Sequence, residues 1–194
     1  MNYLIDTNVF FDVLRQGEGS TEDSFEFGLK EAQKGECYIS YITQIEIISV
    51  IGKYARGGTN DWQQCKRQIE LEDGNFGMCS NRCRVEAPRK KWPSKRIGAL
   101  RKLLKDILAG ESDVLSVKVL DINKNVLQEA SSFIERAVRF RFGSLDAIIA
   151  GTAKSYKDLD LYVVTKDKGF RAALFVTGIP LYKEDNKETI NGMA

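Results

Sequence analysis

Short blocks of β-prone apolar residues alternate along this chain with longer stretches that carry apolar positions at helical spacing, and the contrast assigns most of its elements. Tyr3 to Ile5 predicts a short buried strand. The polar triplet Asp6-Thr7-Asn8 follows, made of residues that favour helix caps, and Val9 to Leu14 then predicts the start of a helix. A second helix is predicted over "STEDSFEFGLKEAQKG", which opens on Ser, Thr and acids, carries Lys30 and Lys34 near its end and stops at Gly35. "ECYIS" reads as a strand, and "TQIEIISVIGKYARGG" as a helix that starts at Thr43 and ends at Gly57-Gly58.

Periodicity weakens over residues 59–93, a stretch that reads as a basic, Cys-containing insertion. It resumes with "SKRIGALRKLLKDILAG", a helix capped by Ser94 with Ile97, Leu100, Leu104 and Leu108 on one face. "VKVLDI" and "LYVVT" predict strands, and between them "NKNVLQEASSFIERAVRF" and "SLDAIIAGTAKSYK" predict helices, the second capped by Ser144. "DKGFRAALFVTG" and "IPLYK" supply a last helix and strand, and the polar tail 184–194 is expected to be loose. Strands alternating with helices imply an α/β fold, a three-layer sandwich with a mainly parallel central sheet flanked by helices, built as a single domain over 1–194. Ligands of such folds bind beyond the carboxyl ends of the strands.

Composition narrows the chemistry. With 43% hydrophobic and 29% charged residues, the 194-residue chain can bury a sizeable core, so disorder of the whole is excluded. It has no apolar run of membrane-spanning length and no signal-peptide pattern at its start, which leads to the expectation of a cytoplasmic protein that does not associate with membranes. Cys37, Cys65, Cys79 and Cys83 are accordingly read as reduced thiols; a zinc site would need an acid such as Glu72 to complete it. Histidine is absent, which removes imidazole bases, His-activated nucleophiles and His metal ligands. The net charge of +2 is unevenly spread: ten basic residues between Arg82 and Asp106 stand against Glu86 and Asp106, so that segment is +8 and the rest −6.

Four acids fall where the predicted fold would bring them to one sheet edge. Asp6 directly follows the first strand, Asp167 follows "LYVVT" by two residues, Glu46 lies one turn beyond Thr43, and Asp146 sits in the first turn after Ser144. Singly, each has a plainer explanation: Asp6 as a helix cap, Asp146 as a complement to the helix dipole, Asp167 as a turn or cap. Glu46, flanked by Ile45 and Ile47, resists such an explanation, and four coincidences at one edge are harder to accept than one. Packed carboxylates repel one another unless a cation neutralises them. Oxygen ligands without His or Cys select Mg²⁺ or Mn²⁺, which suits phosphodiester hydrolysis. Thr7, Asn8, Thr43, Ser144 and Thr165 are candidate supporting groups.

The segments "YLIDTNVF", "ISYITQIEI", "FGSLDAIIAGTA" and "LYVVTKDKGF", in this order, resemble the PIN-domain family of metal-dependent ribonucleases. The resemblance implies that Asp6, Glu46, Asp146 and Asp167 form the metal and catalytic site, supported by Asn8, Thr43, Ser144 and Thr165. It also implies VapC-like toxin activity on RNA, an antitoxin protein as partner and a homodimer. Other readings are a PIN-type RNA-processing nuclease that is not a toxin, a haloacid dehalogenase-like phosphotransferase with Asp6 as nucleophile, and a non-catalytic RNA-binding PIN domain. The phosphotransferase pattern would place a second Asp where this chain has Asn8. Lys90, Lys91, Trp92, Lys95 and Arg96 combine backbone-binding charge with an aromatic and are the candidate RNA contacts.

Overall fold

The computed structural model describes residues 1–17, 27–64, 68–79, 82–88 and 91–182, with 14–17, 58–64 and 82–88 described by their backbone. In chain order the elements are β1 (Asn2–Ile5), α1 (Thr7–Gly17), α2 (Leu29–Ala32), β2 (Glu36–Ser40), α3 (Tyr41–Arg56), β3 (Gly58–Gln64), β4 (Gln68–Glu70), β5 (Phe76–Met78), β6 (Arg82–Pro88) and α4 (Ser94–Ala109). They continue with β7 (Val117–Leu120), α5 (Lys124–Ile134), α6 (Ser144–Ser155), β8 (Leu161–Val164) and α7 (Lys168–Val176). The chain divides into two compact units, one made of Met1–Ile47 with Lys102–Ala194 and the other of Ile48–Arg101.

In the first unit four parallel strands form one sheet in the order β7-β2-β1-β8. Leu4 stands opposite Tyr38 on one side and Val163 on the other, and Ile39 opposite Val119. Side chains of a strand alternate between faces. Leu4, Tyr38, Leu161 and Val163 pack in one cluster with Phe133 of α5, Ile149 of α6 and Phe170 of α7. Tyr3, Ile5 and Ile39 alternate with these and are buried too, so both faces of the sheet are covered, as the sandwich requires. Ile5, Ile39, Val163 and Val164 are fully buried, each contributing about 1.5–3 kcal/mol by leaving water.

Helix boundaries depart from the sequence reading in detail. Of the helix expected over 20–35, the described part is the single turn α2, and residues 18–26 lie outside the described residues. Thr43 lies inside the first turn of α3, which begins at Tyr41; Ser144 is the first residue of α6, whose cap is Gly143. The C-terminus of α3 is as expected. Gly57 takes φ +84, the left-handed conformation that ends helices, and its N–H donates to the Lys53 carbonyl at 3.1 Å. On α4 the buried stripe runs through Leu100, Leu104 and Ile107, with Leu108 half-buried. The strand expected at "IPLYK" reduces to one parallel bridge, Val163 with Leu181, and the tail 184–194 lies outside the described residues.

The second unit holds regular structure where the sequence shows little period. β3 and β6 pair antiparallel from Gly58 opposite Pro88 to Gln64 opposite Arg82. β4 and β5 form a second antiparallel pair, closed by a turn in which Asp73 accepts from the N–H and the side-chain amide of Asn75 at 3.0 and 2.9 Å.

Candidate active site

Strand order fixes where a ligand can enter. From β1 the chain passes to β2 on one side, and β8 lies on the other, so the direction of winding reverses between β1 and β8. At such a switch point a crevice opens beyond the carboxyl ends of the two strands. Asp6 and Thr165 are the residues that follow those two ends, and the Asp6 N–H donates to the Val164 carbonyl at 3.0 Å, extending the β1–β8 pairing into the crevice.

Asp6 is 4% exposed. Its backbone carbonyl accepts the first helical bond of α1 from Phe10, yet its side chain does not cap the next turn. One carboxylate oxygen accepts from the Thr7 N–H at 2.6 Å, and the other from the Thr165 hydroxyl at 2.8 Å, so the group is aimed across the crevice at β8. The Thr7 hydroxyl in turn donates to Glu46 Oε2 at 2.6 Å, which ties α1 to α3. Thr165, fully buried, accepts from the Asp167 N–H at 3.2 Å, and its carbonyl accepts from the Arg171 guanidinium at 3.0 Å.

Asp146 and Asp167 also serve as helix caps. Asp146 Oδ2 accepts from the Gly143 N–H at 2.7 Å, and Asp167 Oδ1 accepts from the Phe170 N–H at 2.8 Å. The turn-or-cap reading of Asp167 therefore holds, Asp146 goes beyond a complement to the helix dipole by making the N3 half of the capping box of α6, and each carboxylate keeps a second oxygen.

The electrostatics join the four acids. Burial pushes the Asp6 carboxyl up to about 6, with the charges of Asp146 and Glu46 adding to it, while the Thr165 hydroxyl and the Thr7 N–H oppose the rise. Burial likewise raises Asp146, opposed by the Gly143 N–H and reinforced by the charges of Asp167 and Glu46. Every one of the four carboxylates thus acts on another within one neighbourhood. Among the described residues no three acid or thiol side chains stand close enough together to hold a metal ion directly.

The supporting residues divide. Thr7 and Thr165 are wired to the acids. Thr43 is fully buried, with no hydrogen-bond partner for its hydroxyl among the described residues. Asn8 and Ser144 are exposed at the first turns of α1 and α6. Of the apolar neighbours that single out Glu46 in the sequence, Ile47 is fully buried and Ile45 is 48% exposed.

One acid was not among the candidates. Asp12, in α1, is 9% exposed and its Oδ2 lies 2.6 Å from the Lys166 ammonium. The signal was present: an acid inside the apolar run Val9 to Leu14 is as anomalous as Glu46.

The basic candidates lie at the sequence end of the second unit. Lys91, Lys95 and Arg96 are exposed, and Lys90 lies outside the described residues. Trp92 stacks on Tyr54 with ring centroids 3.9 Å apart and planes within 4°, while the Arg96 guanidinium stands 4.5 Å above its ring. Two groups this close cannot share one side of the indole, so both of its faces are engaged. Cys37 and Cys79 are buried free thiols, the former pushed up to about 12 by burial; Cys65 lies outside the described residues and Cys83 is described by its backbone. Among the described residues no helix is long and apolar enough to cross a membrane.

No curated protein matches this sequence. Among solved structures, the chain is similar to one in the crystal structure of FitAcB from Neisseria gonorrhoeae, at 18% identity and TM-score 0.55, over 94% of this chain and 97% of that one. It is also similar to a chain of VapBC2 from Rickettsia felis bound to a DNA fragment from their promoter, at 13% identity and TM-score 0.51, over 94% and 98%. Identities this low establish a common fold. The PIN domain family itself matches over residues 3–175, a span that contains Asp6, Glu46, Asp146 and Asp167 together with the strands and helices that carry them, and the chain belongs to the PIN domain family.

Proposed function

We propose that this protein is a Mg²⁺- or Mn²⁺-dependent endoribonuclease that hydrolyses RNA phosphodiester bonds, and that it is the toxin of a toxin–antitoxin pair. The observation that carries the reading is the coupling of four carboxylates at the β1–β8 switch point, with Asp6 buried among them. Asp6, Glu46, Asp146 and Asp167 would hold the cation. Their donor chemistry fits, because hard oxygen ligands without imidazole or thiolate suit Mg²⁺ and Mn²⁺. Their spread fits as well, because Mg²⁺ keeps several of its waters and is commonly bound through one or two carboxylates. A divalent ion at such a site supplies Lewis-acid polarisation of a phosphoryl oxygen and a water of lowered pKa. The residues do the rest: Thr7 and Thr165 orient Asp6 and Glu46, and one of the four carboxylates would accept the proton of the attacking water.

Lys90, Lys91, Lys95 and Arg96 are proposed to contact the RNA backbone. Trp92 would serve by fixing the Arg96 guanidinium instead of offering a free ring to a base. The toxin assignment rests on the resemblance of the four motifs to the PIN-domain family, many of whose compact bacterial members are VapC-type toxins, and on the likeness in fold to chains of FitAcB and VapBC2. It carries with it an antitoxin partner and a homodimer, which co-purification with the product of the adjacent reading frame and a measured molecular mass would test.

Cleavage of labelled single-stranded RNA by the purified chain tests the activity. Activity is expected with Mg²⁺ or Mn²⁺, lost in EDTA, and lost in Asp6→Asn and Asp146→Asn variants that keep their circular dichroism. Full activity in both variants, or in EDTA, would overturn the assignment.

A further inference from the structure

The segment that leads into α6 carries positive charge that the acidic site does not use. Between Glu135 and Asp146 the chain reads "RAVRFRFGSL", with three arginines and no acid. From Arg139 onward, arginine and phenylalanine alternate. Phe140 and Phe142 are half-buried against the core, the Phe142 ring 5.0 Å from that of Phe133 and 6.2 Å from that of Phe170, whereas Arg139 and Arg141 are exposed. Two apolar anchors hold the segment down and leave its guanidiniums to solvent.

Two contacts place this segment beside the acids. On the α6 side, Gly143, two residues after Arg141, donates its N–H to Asp146 Oδ2 at 2.7 Å. On the α7 side, the backbone of Arg141 lies against Gly169. A Cβ added at Gly169 would stand 2.0 Å from the Arg141 carbonyl oxygen and 2.7 Å from its carbonyl carbon, so the approach needs a residue without a side chain. Gly169 belongs to the first turn of α7, whose cap is Asp167. Arg141 thus sits between the residue that Asp146 holds and the turn that Asp167 caps.

Among the described residues, neither Arg139 nor Arg141 makes an ion pair or a hydrogen bond through its side chain, so neither spends its charge on an acid of the site. Four carboxylates repel a polyanion, and a strand drawn to them needs positive charge close by that leaves those carboxylates to a cation. A guanidinium suits the task, because its planar fork of donors matches two phosphate oxygens at once.

We propose that Arg139 and Arg141 bind the backbone phosphates of RNA next to the bond cut at the acidic site. The inference rests on the nuclease reading above and adds to it a substrate contact carried by the same compact unit as the acids.

The test compares the purified parent chain with an Arg139→Gln/Arg141→Gln double variant on labelled single-stranded RNA. Anisotropy in EDTA at several salt concentrations reads binding, and initial rates in Mg²⁺ read cleavage. Losing two phosphate contacts should flatten the dependence of log affinity on log salt by about 1.4. KM should rise at least about tenfold, the scale of a lost charge-assisted hydrogen bond, while kcat holds, because the contact is made alike in the ground state and the transition state. Mn²⁺ binding by titration calorimetry and the melting temperature should match the parent. Arg139→Lys/Arg141→Lys, which keeps both charges, should keep the parental salt slope. A Gln variant with parental slope and KM, or one that loses Mn²⁺ binding together with cleavage, overturns the proposal while leaving the nuclease reading intact. A parent chain that neither binds nor cleaves RNA overturns both.

Discussion

Asp6 is held in a state that costs the fold stability. Its carboxyl is pushed up to about 6, chiefly by burial, whereas in the unfolded chain it returns to the ordinary value of 3.8. Between those two values the folded state binds more protons than the unfolded one, so this group's contribution to stability falls as pH rises through that window. Asp6→Asn removes the penalty. In metal-free buffer the variant should melt above the parent at pH 7.5, with the gap narrowing by pH 4.5, and its RNA cleavage should drop by at least about a hundredfold. Thermal melts at the two pH values check the sign; a parent that melts higher at pH 7.5 would contradict it. Thr165→Val should act in the opposite direction on Asp6's charged form. Losing the hydroxyl costs about 1–3 kcal/mol for the acceptor left unpaired and drives the Asp6 carboxyl further up, so the acidic limb of the pH–rate profile should move to higher pH.

At the scale of elements, the placement of Asp146 depends on how closely α5 and α6 approach. A Cβ added at Gly151 would lie 2.5 Å from the Val126 carbonyl oxygen and 2.8 Å from the Ala130 nitrogen, both backbone atoms that cannot rotate away. Gly151→Ala should therefore destabilise by about 1–3 kcal/mol in chemical denaturation and reduce cleavage by displacing α6. Whether an element was legible in the sequence followed from what stabilises it. The strands β1, β2 and β8 and helices α3 to α7 bury apolar faces, and the period of those faces marked them. The ladders β3–β6 and β4–β5 are built from segments such as "GTNDWQQ" and "QIE", which pair through the backbone and show no apolar alternation. They were invisible for that reason. The sequence starts a helix at Thr43 and caps another with Ser144, and both lie inside their helices because the backbone, not the capping side chain, decides where a helical hydrogen-bond series begins.

At the scale of the whole molecule, charge separates into an acidic site and a basic segment. On α4, Lys95, Lys102 and Lys105 are exposed and recur at i, i+7 and i+10, which keeps them on the side opposite Leu100, Leu104 and Ile107. Replacing all three with Gln should weaken single-stranded RNA binding without regard to sequence. It should also flatten the dependence of log affinity on log salt by about 2, as expected for the loss of three phosphate contacts. Anisotropy titrations at several salt concentrations measure both, and an unchanged slope would remove α4 from the RNA path. By itself the sequence determined the parallel α/β fold and put four acids forward as a candidate site, because apolar periodicity and strand ends are local properties of the chain. Only the tertiary structure decided that Thr165 holds Asp6, that Thr7 holds Glu46, that Tyr54 stacks on Trp92, and that Lys166 pairs with Asp12. Each of these joins residues far apart in the chain, and no local pattern encodes a contact whose partner is supplied by another element.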